Sequence, residues 1–311
     1  MIKEFTTNFI IKKIGNHWTA QRKVTRPART RWWESPLVVQ HYNAQICGYD
    51  ISGTSQGIVS AIRQRCGSRL PFKHGISVGG SNGWKERILI NEGIVEHFTV
   101  TEYSEELINE GIDLSEQQKL KNKIDFYLGD AFEKYSDPSS FDFVYWDNSL
   151  HHMFDVNSAV SWSRHVLNSN GIFVMNDFVG PNRMQYSDRS IKYASLGRAF
   201  LPKKYLSDPY NEGSYLDREI KRCNPIALAV SDPSECADSG RIIDAVKEHF
   251  PDASITFTGG TIYNSSLNDI LANFDEENET DRCILLLLLQ LDKECAFSGE
   301  SHYAFAMAEK N

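Results

Sequence analysis

The chain has 311 residues, 41% hydrophobic and 24% charged, with a formal net charge of −8. That describes a globular protein with a full core and argues against nucleic acid as the main partner, which would want clustered Lys and Arg. Cys47, Cys66, Cys223, Cys236, Cys283 and Cys295 form no CxxC and no short Cys/His cluster, so neither a zinc pattern nor a disulfide framework is present.

Met1 to Phe5 lacks the apolar core of a secretory leader. The longest apolar run, Ile284 to Leu289, is too short to cross a bilayer. The expectation is a cytoplasmic protein with no membrane segment. Residues 1–70 read as a helical lead-in or lid. They hold a basic cluster from Arg22-Lys23 through Arg31, expected to be a solvated arm more than a binding patch. Pro36 suits a first helical position, and a second helix runs from Ile58 to Cys66, ended by Gly67.

Residues 71–311 read as one α/β domain, because apolar β-branched runs alternate with helical patterns. Strands are expected at 76–78, 98–102, 123–128, 141–146 and 171–177, with helices from Trp84, Glu105 and Val156 between them. The stretch 178–225 breaks the rhythm and is expected to be an irregular, substrate-shaping insertion. After it come a short strand at 226–230, a helix at 241–250, a strand at 253–258, a helix at 281–293 whose five leucines pack on the sheet, and a last strand at 302–308. Asp275 to Glu279 is an acidic loop suited to that helix's N-terminus.

The first strand ends in Gly79-Gly80-Ser81-Asn82-Gly83, a turn that brings bare backbone and a helix N-terminus to a ligand. The next strands end in Glu102, Asp130 and Asp147-Asn148, where open α/β sheets bind their ligands. Glu102 is placed to accept ribose hydroxyls, and Asp130 an adenine amino group. Dinucleotides and S-adenosylmethionine both fit such a pattern. The turn lacks the G-x-G-x-x-G spacing, and Glu86 in the first helical turn disfavours a pyrophosphate.

From Ile76 to Asp177 the chain resembles the Rossmann-like (class I) S-adenosylmethionine-dependent methyltransferases of small-molecule type. The resemblance rests on the glycine turn, Glu102, Gly129-Asp130-Ala131 and Asp147-Asn148-Ser149-Leu150-His151-His152-Met153. It implies a three-layer sandwich around a mostly parallel seven-stranded sheet with an antiparallel C-terminal strand. It also implies cofactor contacts from Gly79, Gly80, Ser81, Gly83, Glu102, Tyr103, Asp130, Ala131, Asp147 and Asn148. Two departures stand out. Ser81 replaces the middle glycine, and Ser77 replaces an acidic residue that often meets the cofactor's methionine end, a contact that Asn82 or a main-chain group would have to supply.

Methyl transfer from a sulfonium chiefly needs alignment and exclusion of water. A hydroxyl acceptor also needs a base, for which His151 and His152 are the candidates. Asp177, Asn182, Arg183, Gln185 and Tyr186 are expected to bind a small polar acceptor such as a sugar or hydroxylated metabolite. No metal site is expected: Asp147, Asn176 and Asp177 suggest a metal trio, but the histidine pair fits that poorly. Association into a homodimer is left open. The alternatives are a nicotinamide-dependent oxidoreductase, or a catalytically silent binding protein on the same fold.

Overall fold

In the computed structural model of the chain, residues 15, 17, 20 and 25–311 are described. Met1 to Phe5 and Arg22-Lys23 lie outside them. Seven strands, β1 (Phe72–Val78), β2 (Val95–Glu102), β3 (Ile124–Leu128), β4 (Phe141–Asp147), β5 (Leu167–Phe178), β6 (Ser254–Gly259) and β7 (Tyr303–Glu309), form one sheet. Its order is β3-β2-β1-β4-β5-β7-β6. The first five strands pair in parallel, and β7 runs antiparallel to β5 and β6.

The period-2 alternation of a strand splits β4 between two cores. Phe143 and Tyr145 join one apolar cluster, and Val144 and Trp146 the other. Because both faces are covered, the central strands need no polar positions, which is why they read as apolar runs. Helices α1 (Pro36–Cys47) and α2 (Gln56–Cys66) supply Val38, Tyr42, Ile58 and Ile62 to the same cluster as Phe98 and Phe143. Arg29 and Arg31 of the basic cluster pair with Glu276 and Asp269 at 2.7 and 2.5 Å.

Between the parallel strands lie α3 (Trp84–Asn91), α4 (Glu105–Gln117), the single turn α5 (Ala131–Lys134) and α6 (Val156–Val166). Three expectations for the C-terminal half are corrected. The 178–225 insertion contains a regular helix, α7 (Asp188–Ala199), started by Ser187, whose hydroxyl accepts from Ser190 N. Residues 226–230 are not a strand but most of α8 (Pro225–Ser231): Asn224 caps Ile226 N and Ala227 N, and Pro225 takes the first position. After α9 (Ile242–His249), the leucine-rich helix is α10 (Glu279–Phe297). Only Leu285, Leu288 and Leu289 are buried there, while Leu286 and Leu287 face solvent. A helix of 3.6 residues per turn cannot bury five consecutive side chains on one face.

His302 directly precedes β7 and is 3% exposed. Its Nε2 lies 2.6 Å from Ser190 Oγ, and Tyr186 stacks on its ring. Burial pushes its pKa down from 6.5 to about 4. The neutral ring therefore stabilises the fold fully above the unfolded value, and that contribution is lost as pH falls from 6.5 to about 4. At about 1.4 kcal/mol per pKa unit the loss is at most about 3 kcal/mol. Denaturant unfolding at pH 7 and pH 4.5 should show it in the wild type and much less of it in His302→Gln. Equal acid sensitivity in both would assign the loss elsewhere.

Candidate active site

The carboxyl ends of β1 to β4 border a cavity of about 630 Å³. Gly79, Gly80, Ser81, Glu102, Tyr103, Asp130, Ala131, Asp147 and Asn148 all line it, as does His152. Gly83 and His151 stand behind the wall.

The turn after β1 needs its backbone bare at two places. A side chain at Gly80 would put its Cβ 2.6 Å from Val100 Cγ1. Gly79 has φ +66 and would press on Ser149. Ser81 also takes the left-handed region, at φ +55, and its amide donates to Glu102 Oε2 at 3.1 Å. A serine thus occupies the glycine-like position, with the conformational strain offset by a charged acceptor. Glu102 Oε1 receives Tyr103 N at 2.7 Å and Ser104 N at 3.2 Å. Burial raises its pKa above the ordinary carboxylate value, although these three amides pull it down. Asp130 caps α5 through Phe132 N at 2.7 Å.

Glu86, which the sequence suggested would repel an anion, is 1% exposed in the cavity wall. Its Oε1 accepts from Ser77 Oγ at 2.6 Å, and its Oε2 has no partner. The acidic group absent at position 77 is therefore present in space, supplied from the first turn of α3. Asn82, the expected substitute, does not line the cavity, and its carbonyl accepts from Arg87. Asp147 is enclosed by its own chain. Lys85 Nζ, Asn148 Nδ2 and Asn176 Nδ2 donate to Oδ1 at 2.7, 2.8 and 3.1 Å, and the Tyr145 hydroxyl donates to Oδ2 at 2.5 Å.

Beyond β4, Leu150-His151-His152 form a short 3-10 turn gripped by Asp177 at the end of β5. Asp177 Oδ2 accepts Ser149 N and Leu150 N at 2.9 and 2.7 Å, and Oδ1 holds His151 Nδ1 at 2.5 Å. Burial disfavours the His151 cation, but the Asp177 charge and hydrogen bond, with the Glu235 and Asp232 charges, together outweigh it and leave the pKa above the usual histidine value. Burial would raise Asp177, and the same histidine holds it below the usual carboxylate range. His152, buried beside His151, is pushed down to about 4. With their groups so engaged, Asp147, Asn176 and Asp177 do not form an open metal trio.

The expected acceptor-binding set is not brought to the cavity wall. Asp177 supports the histidine turn. Arg183 donates to Glu235 O and Pro233 O, each at 2.7 Å, and so clamps the 233–235 segment. Asn182 accepts from Gly240 N, Gln185 donates to Cys223 O, and Tyr186 stacks on His302. Gln185 thus pairs with the insertion's own backbone, and Asn182 and Arg183 with the backbone of the 233–240 segment, because long connections packed against a sheet must pair their carbonyls and amides. What they position was not read from the sequence: Ser234 in the cavity wall, and Glu235 facing both histidines.

The sheet order, the glycine turn and the strand-end carboxylates define a Rossmann-like fold with its ligand cavity at the switch between β1 and β4. Residues 83–210 match the family model described as a methyltransferase domain. The fold and this match support a Rossmann-like (class I) S-adenosylmethionine-dependent methyltransferase. Among similar solved structures is phosphoethanolamine N-methyltransferase 2 of Haemonchus contortus, bound to S-adenosyl-L-methionine. It is 14% identical, with 93% of this chain aligned to 61% of that one at a TM-score of 0.51. Geranyl diphosphate C-methyltransferase of Streptomyces coelicolor is 10% identical over 82% and 77% of the two chains, at 0.49. A [4+2]-cyclase is 13% identical over 81% and 80%, at 0.46. No curated protein matches the sequence. At these identities the likeness speaks for the fold alone.

Proposed function

We propose that the enzyme transfers the S-adenosylmethionine methyl group to a hydroxyl oxygen of a small polar acceptor. The observation that carries this is that the cavity bearing the cofactor-type strand-end set is also lined by His152, whose ring packs on the Asp177-backed His151. Glu102 takes the ribose hydroxyls, Asp130 with Tyr103 and Ala131 the adenine side, and Gly79 to Ser81 the bare-backbone approach. Glu86, with its unpartnered oxygen, faces the ammonium of the methionine end. Asp147 and Asn148 form the floor, and Lys85 holds Asp147 in place.

A hydroxyl, unlike a nitrogen with a free lone pair, must shed its proton as it attacks. His151, oriented by Asp177, and His152, oriented by Ser234, are the groups assigned to ionising it. The cofactor supplies the electrophilic methyl carbon, and the cavity excludes the water that would compete for it. The unpaired state of all six cysteines supports a reducing, cytoplasmic setting, and among the described residues no helix is long and apolar enough to cross a membrane.

Calorimetric titration with S-adenosylmethionine, S-adenosylhomocysteine and NAD tests the cofactor. Binding of the first two and not the third is expected, and tight binding of NAD alone would overturn the reading. Labelled-methyl transfer to panels of hydroxyl and amine acceptors tests the oxygen assignment, with ether products expected. Amine products alone would move the reading to nitrogen.

A further inference from the structure

Beside the cavity, three atoms with lone pairs converge on one small space. Asp177 accepts at Oδ1 from His151 Nδ1 at 2.5 Å, so in the neutral ring the lone pair is on Nε2. His152 is fixed in the same sense. Ser234 gives its hydroxyl proton to Asp232 Oδ1 at 2.6 Å, so its oxygen accepts from His152 Nδ1 at 3.1 Å. The Nε2 atoms of both rings then face the Glu235 carboxylate, at 3.9 Å from His151 and 3.8 Å from His152. All three ligand atoms lie within 4.8 Å of one another on residues that are buried or half-buried. The Cys236 thiol donates to Glu235 Oε1 at 3.1 Å and helps orient it.

Two imidazoles and one carboxylate, each imidazole backed on its far nitrogen by an oxygen acceptor, form the donor set of a divalent first-row transition metal. Three protein ligands leave coordination positions open, as in catalytic rather than structural sites. We propose that His151 Nε2, His152 Nε2 and Glu235 bind one divalent transition cation, whose open position takes the acceptor's hydroxyl oxygen. Ligation at about 2.0–2.1 Å would set neighbouring ligand atoms roughly 3.4 Å apart, so three atoms that lie within 4.8 Å of one another close by at most about 1.4 Å. The spacing of these residues in sequence gives no hint of the site, because Arg183 delivers Glu235 from a remote segment.

The inference rests on the hydroxyl reading above and says how the histidine pair ionises the acceptor. A bound cation lowers the pKa of an attached hydroxyl as it does that of water. The O–H bond breaks and its proton passes to water. The oxygen's electron pair forms the new O–C bond while the C–S pair returns to sulfur and neutralises the sulfonium. An alcohol and a sulfonium thus become an ether, a sulfide and a proton.

The test is titration of the untagged full chain, dialysed against EDTA, with Zn²⁺ and with Co²⁺, the Co²⁺ form being scanned for ligand-field bands. One equivalent per chain with visible bands is expected. Glu235→Gln and His152→Ala should each weaken it at least about 100-fold, and Ser234→Ala about tenfold through the lost support of His152. S-adenosylhomocysteine titration of each variant shows that it is folded. No stoichiometric site in the wild type, or one that survives both ligand substitutions in chains that still bind S-adenosylhomocysteine, overturns the proposal. If His152→Ala fails to fold, an unchanged affinity in Glu235→Gln and Ser234→Ala does the same. Failure of the wild type to bind S-adenosylhomocysteine would instead sink the cofactor reading, whatever the metal does.

Discussion

Asp177→Ala is expected to lower the unfolding free energy by about 3–5 kcal/mol, the range for breaking a buried ion pair by deleting one partner. The carboxylate is fully buried and holds four groups of one turn at once: Ser149 N, Leu150 N, His151 N and His151 Nδ1. Its removal leaves three amides and an imidazole without an acceptor in an apolar setting. The sign with pH follows from the pair. The Asp177 pKa is depressed in the fold, so its contribution is present above the unfolded carboxylate value and is lost as pH falls through the folded one. Asp177→Asn, equal in shape, should destabilise less, yet it presents an amide to a donor and so leaves His151 misoriented. Urea unfolding of both variants, with turnover measured in parallel, separates the effects. Asp177→Asn should lose kcat by about 100-fold or more with little change in KM for the cofactor. Wild-type turnover in Asp177→Asn would remove His151 from the reaction.

The central sheet was legible because its physics is local. A stretch of strand covered on both faces is mostly apolar, and Phe143–Trp146 of β4 and Ile172–Met175 of β5 announce themselves that way. The strand ends were legible too, because a polar residue directly after such a run marks the edge of the sheet. Strand beginnings were less so: β1 starts at Phe72, but Lys73 and His74 hide its first turns of alternation. The antiparallel β7 was placed through the family resemblance, since neither its composition nor its spacing reveals pairing direction.

The site was legible only where it lies on those strand ends. Glu86 was read only as a carboxylate at a helix N-terminus, because a sequence does not show the Ser77 hydroxyl that bonds it in the cavity wall. The expected acceptor set falls outside the cavity wall for a deeper reason. A polar loop after a strand looks the same whether its side chains face a ligand or satisfy nearby backbone. Arg183 satisfies the carbonyls of Pro233 and Glu235, and in doing so presents Ser234 and Glu235, which carried no signal of their own beyond a short polar run with a proline.

Glu102→Ala should weaken S-adenosylhomocysteine binding by roughly 10²–10⁴-fold. In the proposed function the carboxylate accepts both ribose hydroxyls, and hydrogen bonds to a charged group contribute about 1.5–3 kcal/mol each. Part of the loss is indirect, because Ser81 in its left-handed conformation depends on Glu102 Oε2. Glu102→Gln distinguishes the two parts: it keeps one acceptor for an amide or a hydroxyl and should fall between wild type and alanine. The raised pKa adds a pH signature. Burial makes protonation of Glu102 easier than for a free carboxylate, so as pH falls toward that raised value the group becomes a donor at one oxygen. Cofactor affinity should therefore decline on acidification at a pH where an exposed glutamate would still be ionised, and the decline should flatten in Glu102→Gln. Calorimetric titrations from pH 8 down to the limit of folding measure both. An affinity that is independent of pH and insensitive to Glu102→Ala would mean that the ribose lies elsewhere, and with it the orientation of the cofactor in the cavity.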